Sequence, residues 1–238
     1  MADFQQLWVY LSTTPLLWLT LTLLVFQASE WLFRKSKAMP LCNPVLLSIL
    51  MLVALLKISG VSYQAYFSGA QFLQFLLGPA TVALAVPLYR QIETIRKNFA
   101  ALAVTLVTGS LLAIGTSTGI AWLLGAGPQL LLTLAPKSVT SPIAMGIAEK
   151  IGGIPSLAAV TVILTGIVGA AFGGWVLDRA RVTDDTARGV AMGLVSHGIG
   201  TARAMMMSQT AGAFGGLAMG LNGLLTALLL PVLVSLLK

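Results

Sequence analysis

Residues 131–149 read LLTLAPKSVTSPIAMGIAE, and this stretch decides the fold. It is as long as a membrane span, yet Pro136, Lys137 and Pro142 interrupt it, with Ser138, Thr140 and Ser141 among them. Proline breaks a helix interior, and a lysine in hydrocarbon is costly unless it faces a cavity or a partner. The stretch is therefore read as a broken or re-entrant helix. Irregular backbone of this kind survives in a bilayer only where protein buries it or it lines a wet cavity.

The composition supports a membrane setting. Of 238 residues, 57% are apolar and 9% are charged, whereas soluble domains carry about 25% charge. That excludes a soluble globular domain, and the low charge also excludes disorder. A single cysteine, Cys42, excludes an intrachain disulfide scaffold. The balance of 14 Lys or Arg against 7 Asp or Glu leaves +7. Loops facing anionic lipid headgroups account for that excess, so no nucleic-acid partner is expected. The chain is read as an all-α polytopic membrane protein, one transmembrane domain over 1–238.

Uncharged runs at 4–29, 38–56, 58–89, 98–136, 151–177 and 204–237 set the helices. At about 20 residues per span they accommodate about eight helical elements. The first is expected near Leu7 to Phe26; with Asp3 where a positive leader would begin, it reads as a retained helix, not a cleaved signal. The second is expected over Leu41 to Leu56. The run 58–89 starts polar and reads as a surface segment feeding one helix, and the last span is expected over Leu217 to Leu237.

Three basic loops, at Arg34 to Lys37, Arg90 to Lys97 and Asp178 to Arg188, hold nine of the 14 basic residues. The positive-inside rule places all three in the cytoplasm. An even number of crossings must then separate Lys97 from Asp178: either one element enters and returns or the long run 98–136 crosses twice, and the interrupted stretch 131–149 is the natural candidate for the return.

Internal echoes occur at two offsets. At 120, Gly78-Pro79-Ala80-Thr81 meets Gly198-Ile199-Gly200-Thr201; at 57, Leu77-Gly78-Pro79 meets Leu134-Ala135-Pro136 and Thr108-Gly109 meets Thr165-Gly166. Transporters are often built from repeats, and the reading adopted is two halves, 1–119 and 120–238.

Three breaker segments carry the polar chemistry. A helix broken inside a bilayer exposes N–H groups at one half-helix, and these suit anions. The first segment is Leu77 to Pro87, with Thr81 beside Gly78 and Pro79; its plainer reading is a proline kink. The second is Ala135 to Ala144, where Lys137, Ser138, Thr140 and Ser141 form an anion-binding composition. The third, Ser196 to Arg203, holds the one histidine, His197, with Gly198, Gly200, Thr201 and Arg203. There the glycines permit close backbone approach or positive φ, Thr201 is expected to cap a half-helix, and Arg203 to grip a carboxylate. His197 could couple transport to protons. Asn222, deep in the last apolar run, is expected to bond a neighbouring helix or join the site, and Asn43 is read similarly. Gly216 and Gly220 form a close-packing step, Met205 to Met207 fill core space, and Asp178, Asp184 and Asp185 are solvated. No metal cluster, phosphate loop or nucleophile motif is present in the sequence, so neither an enzyme nor a cofactor is expected.

These motifs resemble the LrgB/CidB family. The resemblance rests on Leu77 to Tyr89, Pro136 to Ala144, Gly152-Gly-Ile-Pro155, Ser196 to Arg203 and Gly220-Leu-Asn-Gly223, in that order along Asn43 to Pro231. It implies an inverted-repeat fold like that of cation/proton antiporters. It also implies one of two functions. Bacterial members are described as antiholin-like proteins that work with an LrgA-type membrane partner on murein hydrolase activity and lysis. The plastid member is a glycolate/glycerate translocator. The expected partners are a small carboxylate, protons, the lipid bilayer, an LrgA-type protein and further copies of the chain. The expected location is a bacterial inner membrane in preference to a plastid envelope.

Overall fold

The computed structural model describes residues 15–36, 42–83, 89–90 and 92–236. Its described residues are helical with intervening turns, and they divide into two compact units, Met1–Ala83 and Leu84–Lys238.

The first unit contains α1 (Pro15–Lys35), α2 (Pro44–Ser59) and α3 (Tyr63–Ala83). Asn43 starts α2 by accepting from the amides of Val45 and Leu46 at 2.9 and 3.3 Å. It thus caps its own helix instead of bridging to another, the role its place just before Pro44 favours. Gly60, at φ 68°, ends α2. Trp18 of α1 is fully buried and meets Tyr66 of α3 edge-on at 5.8 Å. Two expectations change here. The polar start of the run 58–89 is helical from Tyr63 onward, and α3 continues through Gly78 and Pro79 to Ala83, so no break falls within 77–83; the rest of the expected segment, 84–87, lies outside the described residues. Transmembrane helices tolerate proline when neighbouring groups satisfy the freed carbonyl.

The second unit contains α4 (Ile92–Lys97), α5 (Phe99–Leu123), α6 (Pro128–Leu134), α7 (Ser141–Ile151), α8 (Pro155–Arg179), α9 (Asp185–Met207) and α10 (Gln209–Leu236). Prolines mark the helix starts at Pro128, Pro142 and Pro155, where the missing N–H costs nothing. Ten helices among the described residues stand where the sequence predicts about eight, because 131–149 divides in two and 92–97 is a helix of its own. The glycine-rich stretch before Leu217 is also helical, within α10. Among the described residues four helices, α1, α5, α8 and α10, are long and apolar enough to cross a membrane.

Packing gives the directions. Leu102 and Leu106 of α5 cluster with Phe214 and Ala218 of α10, and Ser110 reaches Thr226 further along, so α5 and α10 run parallel. α8 runs opposite to both, with Ala158 near its start in the same cluster as Leu230 near the end of α10. The α6/α7 pair enters from the Pro155 end. Ile154 N donates to Thr133 Oγ1 at 2.9 Å, Ile143 lies against Gly223, and Ile147 and Ile151 pack with Leu230. It returns to the end it entered, as the even crossing count demands.

α9 enters from the opposite end and also returns. At His197 the backbone takes φ 43° and ψ −131°, and the two halves fold back on each other. A Cβ on Gly200 would strike Met192 O and lie 2.5 Å from Ser196 Cβ. The first half runs beside α10 with Gly189 against Ala211 and Gly193 against Gly215. The second half returns antiparallel, with Gly198 facing Met219 and Met205 facing Gly212. His197 lies level with Gly166, about 16 Å from one end of α8 and about 20 Å from the other at 1.5 Å per residue.

The elements also recur. A shift of 57 residues carries α5 onto 156–180 and so onto α8, α7 onto 198–208 and so onto the second half of α9, and α8 onto 212–236 within α10. Thr108-Gly109, Thr165-Gly166 and Asn222-Gly223 fall on corresponding positions of α5, α8 and α10.

Candidate functional site

The two hairpin tips meet midway along α8 and α10. The first tip is the turn 135–140 between α6 and α7, built from Lys137 N donating to Leu134 O and Val139 N donating to Pro136 O. Ala135, Pro136, Ser138 and Val139 are buried there. Lys137 is half-buried and its ammonium donates to Ser138 Oγ at 3.3 Å. Among the described residues it has no carboxylate within ion-pair distance. Thr140 precedes α7 without capping it through its side chain, and Ser141 opens the helix.

The second tip is the reversal in α9. Of the two uses the sequence allows the glycines, Gly200 serves close approach, while positive φ falls to His197, an arrangement that costs about 1–3 kcal/mol and persists only when surroundings hold it. They do. His197 Nε2 lies 2.9 Å from Val162 O, and a carbonyl only accepts, so Nε2 carries the proton and donates. Gly166 supplies the space for the ring, since a Cβ there would lie 2.7 Å from Cε1 and 2.9 Å from Nε2. Thr201 does not cap the returning half. Its hydroxyl donates instead to His197 O at 2.8 Å, one turn back along the helix. Gly200 is needed for the fold-back, whereas a Cβ on Gly198 would make one ordinary contact, to Met219 sulfur at 3.7 Å.

Asn222 joins the tips. It is 1% exposed, and its Nδ2 donates to Ser138 O of the first tip and to Leu194 O of the second, both at 3.1 Å. The structure therefore brings together Lys137, Ser138, His197, Thr201 and Asn222. Arg203 stands apart. It is half-buried and six residues beyond His197, about 9 Å along the helix toward the Arg179 end. Thr81 lies on α3 in the first unit, and its side chain is outside the described residues.

Several neighbours escape the sequence reading. Ser110 and Thr226, both buried, pair through their hydroxyls at 3.2 Å, with Thr226 one turn from Asn222. Gly166 and Gly169 make room for His197 and Ser196; the 57-residue echo at Thr165-Gly166 is the signal that marks the first. Other expectations shift. Met206 is 59% exposed, whereas Met205, 43% exposed, lies against Gly212 and Met207 packs with Met192 and Ala211. Gly220 has open space beside it, and the close step runs through Gly189, Gly193 and Gly215. Asp178, Asp184 and Asp185 are exposed, as expected; Asp178 also pairs with Arg188 at 2.6 Å, and Asp184 caps α9 through Ala187 N at 2.8 Å. Among the described residues no cluster of His, Cys, Asp or Glu could hold a metal.

Chemically, the junction offers a cation, a hydroxyl and the amide end of the eleven-residue α7, a set that attracts a small anion.

No solved structure matches the chain. An uncharacterized protein of Haemophilus influenzae is 35% identical over 232 residues, covering 98% of this chain and 97% of that one. An uncharacterized protein of Bacillus subtilis is 36% identical over 217 residues, 91% of this chain and 96% of its own. A Bacillus mycoides protein named antiholin-like protein LrgB is 28% identical, with 92% of this chain and 95% of its own covered. The model of the LrgB-like family matches residues 22–236. By that match and these relatives, the chain is a membrane protein that belongs to the LrgB-like family.

Proposed function

We propose that the chain is a secondary transporter of small organic carboxylates of the size of glycolate, glycerate, lactate or pyruvate, coupled to protons. The observation that carries this reading is Lys137, a cation midway along the spanning helices with no acidic partner among the described residues. An uncompensated charge at that depth is expensive, and it is usually retained for a substrate or a pathway. A carboxylate would neutralise it and gain the Ser138 hydroxyl and the α7 amide end. The opposed hairpins support transport in particular, because alternating access needs one closure on each side of a central site. His197, with Nε2–H committed to Val162, would take its coupling proton on Nδ1. With the basic loops in the cytoplasm, α9 is the cytoplasmic hairpin and α6/α7 the outer one, in a bacterial inner membrane.

The test is uptake of labelled glycolate, lactate and pyruvate by proteoliposomes, with and without a proton gradient. Saturable uptake that falls at least tenfold in Lys137→Gln is expected. Absence of saturable uptake, or full uptake by Lys137→Gln, refutes the assignment.

A second reading is favoured by the name antiholin-like protein LrgB carried by relatives: a regulator of cell lysis that acts with an LrgA-type membrane partner. It predicts altered murein hydrolase activity on deletion, unaffected by Lys137→Gln.

A further inference from the structure

The cytoplasmic half of α8 carries a row of small residues on one face, Gly166, Gly169, Ala170, Gly173 and Gly174, and the α9 hairpin lies on it. Ser196 and Met192 of the first half fill the places beside Gly169 and Gly173. On the returning half, Ile199 Cδ1 lies 2.8 Å from where a Cβ on Gly166 would stand, and Met207 Cε 3.4 Å from one on Gly174. Arg203 is four residues from each, so it shares their face and comes level with Ala170. That places it about two turns inside the Arg179 end of α8. The outward side of the returning half carries Ala202 and Met206, both exposed, and an arginine placed only to reach the headgroups would belong there. Arg203 is half-buried in the α8 seam instead, with neither an ion-pair partner nor a hydrogen bond among the described residues. Asp178, the acid at that end of α8, is committed to Arg188. A guanidinium stays charged, and one kept inside a membrane without an acid marks a place for an anion.

We propose that Arg203 is a second carboxylate station, on the cytoplasmic side of the junction, which receives the anion from Lys137 when the α9 hairpin opens and passes it to the cytoplasm. The inference rests on the transport reading above and goes beyond it by giving each hairpin its own cation, Lys137 on the outer one and Arg203 on the inner one. Passage requires binding strong enough to draw the ion in and weak enough to release it, and sites in series meet both demands. A lone cation at mid-membrane would hold the carboxylate against a long dry exit; a second one nearer the cytoplasm lowers that barrier. Arginine suits the task because its paired N–H groups match both carboxylate oxygens.

The experiment measures the KM for labelled glycolate from each face separately, in right-side-out and inverted membrane vesicles from cells producing the protein. In Arg203→Gln the KM from the cytoplasmic face is expected to rise about fivefold or more, while the KM from the outer face changes less than about twofold. A merely structural role would lower the maximal rate from both faces and leave both KM values in place, and that result overturns the proposal. A KM raised equally on both faces overturns it too. If glycolate, lactate and pyruvate enter the vesicles of the unaltered protein from neither face, the transport reading fails and this one with it, a result distinct from uptake that lacks sidedness. Should Arg203→Gln not reach the membrane, Arg203→Lys keeps the charge and loses the fork. A rise of about threefold confined to the cytoplasmic KM is then expected, and the absence of a sided change overturns the assignment.

Discussion

Replacing Gly166 by alanine tests the architecture of the second tip. A Cβ at this position would lie 2.7 Å from His197 Cε1, 2.9 Å from Nε2 and 2.8 Å from Ile199 Cδ1. The ring cannot yield without losing its bond to Val162 O, because the positive φ of His197 fixes where the side chain emerges. Leaving that donor and acceptor unpaired costs about 1–3 kcal/mol, and overpacking adds about 1–3 kcal/mol. A total near 3 kcal/mol lowers Tm by about 6–12 °C for a chain of this size. The assay is thermal unfolding of detergent-solubilised protein followed by tryptophan fluorescence. Gly115→Ala is the control, since nothing lies within 4 Å of a Cβ there, and alanine should hold or raise Tm through helix propensity. In a His197→Ala background the new Cβ meets only the mobile end of Ile199, so its cost should fall below about 1 kcal/mol. If Gly166→Ala melts with the wild type, or costs the same without the histidine, the reasoning about this tip is wrong.

Other variants probe the remaining contacts. Ser110→Ala and Thr226→Val each leave a buried hydroxyl alone and should cost about 1 kcal/mol; the double variant should cost less than their sum, as a double-mutant cycle will show. Gly193→Ala drives a Cβ onto the backbone of Gly215, 2.7 Å from its carbonyl carbon, which side-chain movement cannot relieve. A loss of about 2–3 kcal/mol is expected, read as a lower Tm, with slower cross-linking between cysteines placed on α9 and α10 dismissing the alternative of a purely local effect. Asn43→Ala removes the α2 cap and should cost about 1 kcal/mol, whereas Asn43→Ser should recover most of it.

Much of the fold is legible because the bilayer penalises exceptions. The interruption at Pro136, Lys137 and Pro142 could not be hidden in a continuous span, and the structure divides the stretch there. The even crossing count demanded by the basic loops likewise matches a hairpin that returns to its own end. Pro79 was misleading because one proline removes one hydrogen bond, whereas the turn 135–140 loses helical geometry over several residues. At the site, residue types were readable but their partners were not. Gly198 and His197 are neighbours, and only tertiary contacts with Val162 and Gly166 decide which takes the strained backbone. Arg203 belongs to the same breaker segment as His197 in sequence, yet the fold-back carries it about 9 Å along the helix from His197. Asn222 was recognised as a buried bridge, but the two carbonyls it spans lie 84 and 28 residues away in sequence.

The reversal at His197 also bears on how the protein is made. The first half of α9 has about 12 residues and the second about 10, which are about 18 and 15 Å long. Neither approaches the 30 Å or so that a segment must cover to be retained in the bilayer by its own hydropathy. During synthesis the hairpin therefore has nothing to hold it at depth until Gly-lined faces on both sides exist. One belongs to α8, already made; the other belongs to α10, which emerges afterward and supplies the carbonyls of Ala211 and Gly215 and the amide of Asn222. The second tip is thus a late event in biogenesis, and truncation within α10 should leave α9 outside the membrane, open to protease from the side where it was synthesised.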